Sequence, residues 1–119
     1  MKIEELSIGD WVMAEGQPHQ VFSLNHYGVL LNTQKGLRPY NFESLTPISI
    51  TPEILEKNGV ALAEDYDENG GLFTCPAFSV VKYGDGYTFE VPQARVRVEH
   101  VHELQHAIRL AGIEKEIEV

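Results

Sequence analysis

Turn-forming residues divide this chain so finely that no regular element in it can be long. Gly9-Asp10, Glu15-Gly16-Gln17-Pro18, Gln34-Lys35-Gly36, Asn58-Gly59, Gly84-Asp85-Gly86 and Pro92-Gln93 all combine residues that tolerate or impose tight-turn backbone angles. What lies between them is short and rich in β-branched and aromatic residues. The clearest case is Tyr87 to Val91, where Tyr87, Phe89 and Val91 alternate with Thr88 and Glu90. That period of two marks a strand with one face buried.

Applied along the chain, the same reading gives an α+β fold in one domain, residues 1–119. Trp11 to Met13, His19 to Leu24, Gly28 to Asn32 and Leu37 to Phe42 read as strands, the last interrupted by Pro39. Leu45-Thr46-Pro47-Ile48-Ser49-Ile50 follows as a closing strand kept short by its proline. Residues 1–50 thus predict a small, strongly bent barrel of SH3-like type. Residues 51–59 predict a short connecting helix: Thr51 caps, Pro52 suits the first helical position, and Asn58-Gly59 ends it. Residues 60–98 hold antiparallel strands: Val60 to Ala63, Leu72 to Thr74, Phe78 to Tyr83, Tyr87 to Val91 and the Val96–Val98 stretch. Residues 99–112 close the chain as a helix, with Val101, Leu104, Ile108 and Ala111 forming an apolar stripe and Gly112 a stop. The short edge strands of the barrel are free to pair across a dimer.

Composition excludes several classes of function. No apolar run approaches the about 18–20 residues of a membrane span. The start, Met1-Lys2-Ile3-Glu4-Glu5, lacks the apolar core of a signal peptide, so a cytoplasmic location is expected. The single cysteine, Cys75, agrees with that and reads as a packed thiol rather than a nucleophile. Net charge is −9, and both halves share it: residues 1–59 carry 4 basic and 7 acidic side chains, residues 60–119 carry 5 and 11. Nucleic-acid backbones therefore find no electrostatic source here. Arg95 and Arg97 share one face of a strand, and Glu90 and Glu99 beside them predict local ion pairs. Single-stranded nucleic acid could still stack on Trp11, Tyr27, Tyr40 and Phe42 of the barrel, a reading the charge opposes.

Two strings look like metal sites. His102-Glu103-Leu104-Gln105-His106 is H-E-x-x-H, in which two histidines four apart on a helix hold zinc and the glutamate serves as general base. A zinc hydrolase with His102 and His106 as ligands and Glu103 as base is the enzymatic alternative. A catalytic zinc needs three protein ligands. Downstream stand only Glu114, Glu116 and Glu118, and Gly112 occupies the place where the extended motif has its third histidine, which leaves His100, His19 or His26 as third ligand through tertiary contacts. Asp65-Tyr66-Asp67-Glu68-Asn69-Gly70 matches the first half of a calcium loop, with Asp65, Asp67 and Asn69 as ligands. Its twelfth position should be glutamate and is Pro76. An exposed acidic hairpin turning at Asn69-Gly70-Gly71 is the simpler expectation. Neither string holds a full ligand set, so no cofactor is expected.

Four strings carry a resemblance: Glu5-Leu6-Ser7-Ile8-Gly9-Asp10-Trp11-Val12, Leu45-Thr46-Pro47-Ile48-Ser49-Ile50-Thr51, Glu53-Ile54-Leu55-Glu56-Lys57-Asn58-Gly59 and Val101-His102-Glu103-Leu104-Gln105. In that order and spacing the chain resembles a family of small uncharacterised proteins from prophages and other mobile elements of anaerobic gut bacteria. The family's C-terminal string runs V-H-Q-L-Q-N-L, so the resemblance implies that Glu103 and His106 are optional. It also implies that Gly9, Trp11, His102, Leu104 and Gln105 are structural, with Leu104 in the core and His102 and Gln105 bonding nearby backbone. The resemblance brings no activity or substrate. The expectation is a non-enzymatic interaction module whose acidic surface suits a protein partner with a basic face.

Overall fold

The computed structural model describes residues 1–67 and 70–119. Two helices accompany antiparallel strands in two separate sheets, an α+β architecture. The chain divides into two compact units, 1–48 (joined by Val119) and 49–118.

The first unit is a four-stranded meander of β1 (Trp11–Ala14), β2 (Gln17–Asn25), β3 (Gly28–Thr33) and β4 (Gly36–Tyr40), paired in that order. Two-residue links join each strand to the next, the shortest hairpins the backbone allows. Val12, Ala14, Val21, Val29 and Leu31 point to one side and pack with Leu6 and Leu45 as the core, with Tyr40 and Phe42 against them. Phe22 falls at the register shift between Val21 and Ser23, which turns it outward. Pro39 does not interrupt β4: it pairs opposite Leu30 on the edge strand, where a missing amide costs least. Residues 42–44 are a single 3-10 turn rather than the end of that strand.

The expected closing strand is absent among the described residues, and the sheet does not close into a barrel. Thr46 exchanges two backbone bonds with Met13, at 2.8 and 3.0 Å, and the ladder goes no further. Pro47 follows at once and has no amide to continue it. Ser49 then bridges His100, so the stretch 45–50 is shared between the two units.

The second unit opens with helix α1 (Pro52–Lys57), capped as the sequence predicts: Thr51 Oγ1 accepts the Ile54 amide at 3.2 Å. Gly59, at φ 78°, lets the Val60 amide return to Leu55 O. A five-stranded antiparallel sheet follows in chain order: β5 (Ala61–Asp67), β6 (Gly70–Thr74), β7 (Ser79–Tyr83), β8 (Gly86–Val91) and β9 (Ala94–Val98). β5 runs four residues beyond the expected Ala63, through an acidic stretch with poor strand propensity that an exposed edge tolerates. The turn expected at Asn69-Gly70-Gly71 is replaced in part by strand, since Gly70 and Gly71 belong to β6; Asn69 lies outside the described residues.

Phe73, Val80, Phe89 and Val98 are buried in the sheet, with the Phe78 and Phe89 rings 5.3 Å apart. Helix α2 (Val101–Leu110) buries Val101, Leu104 and Ile108. Ala111 is exposed at its end instead of completing the stripe. No helix among the described residues is long and apolar enough to cross a membrane.

Candidate functional site

Helix α2 carries His102, Glu103, Gln105, His106 and Arg109, and its first turn decides what Glu103 does. Glu103 bends back over the helix start. Its Oε1 accepts the backbone amides of His100 at 2.9 Å and Glu99 at 3.2 Å, and His100 Nδ1 donates to it at 2.8 Å. Burial pushes the Glu103 carboxyl up, but these donors outweigh it and hold it below the usual carboxylate range. The side chain is therefore an anionic helix cap, satisfying amides that the helix itself leaves unpaired. A general base in the H-E-x-x-H scheme must instead face a metal-bound water.

His102 is buried and His106 partly so, their rings edge to face with centroids 5.7 Å apart, while the His100 ring stacks on His102 at 5.8 Å. The three imidazoles are in contact in sequence, stacked at His100–His102 and edge to face at His102–His106. Among the described residues no group of three His, Cys, Asp or Glu side chains is placed to hold a metal ion. Glu114, Glu116 and Glu118 do not return to the histidines. Arg109 takes Glu116 at 3.2 Å, and Glu118 meets Asn58 through its backbone.

Leu104 is fully buried, and Gln105 is fixed at both ends. Its Oε1 accepts the Ile117 amide at 2.7 Å and its Nε2 donates to Lys115 O at 2.9 Å. The side-chain amide thus acts as a strand partner for the C-terminal strip and holds Ile117 in the core. In the first unit Gly9, at φ 92°, turns the chain so that its amide reaches Val21 O, and Asp10 accepts the Ser7 amide at 2.7 Å. Trp11 stands beside this turn with its indole Nε1 buried.

The calcium string loses its geometry. A calcium loop must wrap the ion, whereas Asp65 and Asp67 sit in an extended strand paired to Gly71 and Gly70. Asn69 lies outside the described residues. Cys75 is half-buried in the bend before β7, its amide bonded to Phe78 O. Of the four aromatics read as a stacking platform, Tyr40 and Phe42 pack against the core, Trp11 is half-buried and Tyr27 is 83% exposed. Tyr27, Pro39, Tyr40 and Glu15 line a cleft of about 550 Å³, within which the Tyr40 hydroxyl donates to Glu15 at 3.3 Å. Arg95 and Arg97 make the local ion pairs read from the sequence, with Glu90 at 3.2 Å and Glu99 at 3.5 Å.

One surface was not anticipated. Between β9 and α2 runs a groove of about 690 Å³, floored by Val91, Ala94 and Val96 and walled by Ala107, Leu110 and Ala111. Leu110 is 90% exposed. The signal was present in the sequence: Leu110 lies two residues past Ile108, about 200° around the helix from it and so off the buried stripe. The second unit as a whole is acidic, with 13 Asp and Glu against 6 Lys and Arg, and the groove is lined by one charge of each sign, Arg97 and Glu103. Comparisons of the chain with protein-family models, with curated proteins and with solved structures each give no match.

Proposed function

We propose that this chain is a non-enzymatic protein-interaction module of a mobile genetic element, working in the cytoplasm on a partner with a basic face. The observation that carries the reading is the groove beside α2. Leu110 and Val96 offer apolar side chains to solvent in one groove, and an exposed apolar patch rimmed by polar residues marks a contact surface. The best-matched partner places an apolar side chain in the groove and surrounds it with lysine and arginine. Its basic rim then meets the acidic excess of the second unit, which speeds encounter and rejects acidic competitors.

The chemistry-bearing residues support the same reading by what occupies them. Glu103 caps a helix, Gln105 anchors the C-terminal strip, and Asp65 stands in a strand. An SH3-like ancestry of the first unit fits its meander of short strands and bent β2.

Affinity capture from nuclease-treated lysate, with wild type and Leu110→Asp side by side, tests the proposal. Leu110 contributes almost nothing to the core, so the variant folds normally. One stoichiometric partner is expected on wild type, lost on Leu110→Asp and weakened in ~1 M salt, where screening reaches about 3 Å. Recovery of the same proteins by both baits refutes it.

A further inference from the structure

The five-stranded sheet of the second unit ends in two uncovered edges of opposite charge. On β5 residues 61–66 are all exposed and include Glu64 and Asp65. On β9 residues 94–97 are all exposed and include Arg95 and Arg97. Pairing register is regular from β6 to β9, and on β5 it shifts between Leu62 and Glu64 and again between Asp65 and Asp67. On one face Leu62, Phe73, Val80, Phe89 and Val96 form a single lateral row. Its three inner members are buried, while Leu62 is 45% and Val96 47% exposed. On the opposite face Glu64, Leu72, Val81, Thr88 and Arg97 form the neighbouring row, which starts in an anion and ends in a cation. Each row stops only because the molecule does.

We propose that β9 of one copy of this chain pairs with β5 of a second copy, head to tail, so that the sheet continues from molecule to molecule. The junction places Val96 beside Leu62 on one face, and the bulge between Leu62 and Glu64, which sets these two residues against consecutive residues of β6, brings Glu64 level with Arg97 on the other. It also occupies the backbone donors and acceptors that an edge strand leaves open. Edge charges commonly guard a sheet against stacking, because like charges repel. Here the two edges differ in sign, so the guard operates only between like edges. A β9–β9 pair centred on Val96 sets Arg95 opposite Arg97 twice over, and a β5–β5 pair opposes acids; the unlike pair is the one that attracts.

In the lone chain Arg97 folds over Gly86, its guanidinium filling the space where a Cβ would stand. The Arg97 side chain is 65% exposed, so it turns to a neighbour's Glu64 without disturbing backbone. Four antiparallel steps separate the two edges, so β5 and β9 run in the same direction and the junction is parallel, which is somewhat weaker per residue. Sheet twist of about 20–25° per strand carries each copy around the last, so the array is open and heterologous rather than a closed two-fold dimer. The contact is small, and association is accordingly weak and concentration-dependent.

Sedimentation velocity over a wide concentration range tests this with the full chain. Wild type is expected to grow past the dimer as concentration rises. Arg97→Glu and Glu64→Lys, each folded by circular dichroism, are each expected to associate about tenfold more weakly. Mixed in equal amounts they are expected to recover association, because Arg97→Glu keeps an intact β5 edge and Glu64→Lys an intact β9 edge. Wild type that stays monomeric at every concentration overturns the proposal. So does growth that stops at a dimer, single variants that associate like wild type, or a mixture no more associated than its components.

Discussion

Replacing Gln105 by alanine removes the clamp on the C-terminal strip, and the structure sets the size of the effect. The Ile117 amide, buried with Gln105 Oε1 as its acceptor, is left unpaired at a cost of about 1–3 kcal/mol. The Lys115 carbonyl loses its donor as well, but it is only partly buried and water replaces most of that bond. The strip can escape the penalty by detaching. It then exposes Ile117, worth about 1.5–3 kcal/mol. Detachment also gives up the two Asn58 bonds to Glu118, worth about 0.5–1.5 kcal/mol each. Remaining docked is the cheaper course, so Gln105→Ala should destabilise by about 2 kcal/mol with the strip still in place. Gln105→Glu keeps the acceptor for Ile117 but presents an anion to Lys115 O, and should also destabilise. Asn58→Ala holds the same strip from α1, so the double variant should cost less than the sum of the two. Urea unfolding gives the free energies, and hydrogen exchange at the Ile117 amide reports the strip. A loss under about 0.5 kcal/mol with unchanged protection at Ile117 would refute the clamp, since that is the range of surface substitutions touching nothing.

Acid should weaken the α2 start in a defined window. The Glu103 carboxyl is held below its ordinary value in the folded chain, so its contribution is fully present above the unfolded carboxylate range and is lost as pH falls through the lower, folded value. Glu103→Gln should therefore flatten the acid limb of a stability–pH profile, and an unchanged limb would count against the cap. Gly28→Ala should destabilise the first unit by about 1–3 kcal/mol, as overpacking does. Its added Cβ would stand 2.8 Å from Tyr40 O, a backbone atom that cannot yield. A thermal midpoint within a degree of wild type would show that the β3–β4 pair relaxes.

Local chemistry was legible wherever the physics was local. Thr51-Pro52 marked α1 because cap and ring geometry act within one turn. Gly84-Asp85 marked the β7–β8 link because two residues suffice to reverse the chain. Two misjudgements, and one segment left unread, share the opposite cause. β5 continues through Glu64 and Asp65 because β6 offers it a ladder, a favourable term that the strand's own residues do not display. Residues 45–50 fail as a strand because their hydrogen-bonding partners, Met13 for Thr46 and Glu99 for Ile50, lie in different units. The strip 113–118 has no helical or strand assignment at all; it is held by Gln105 and Asn58, the latter 60 residues away.

The H-E-x-x-H string shows why spacing underdetermines chemistry. Two histidines and a glutamate at these positions are what a metal-bound water requires, but the glutamate is also the third residue of a helix whose first amides need an acceptor. The two roles demand different directions of the same side chain. Among the described residues no third ligand is placed with the histidines, and Glu103 turns to the amides of Glu99 and His100. The outcome follows from which donors the fold has already placed, not from the motif. Residues whose hydrogen bonds are committed to the fold have little left to offer a partner, and those the fold leaves exposed at its surface have more. Leu110, Val96 and the two open edges of the second sheet are of that kind.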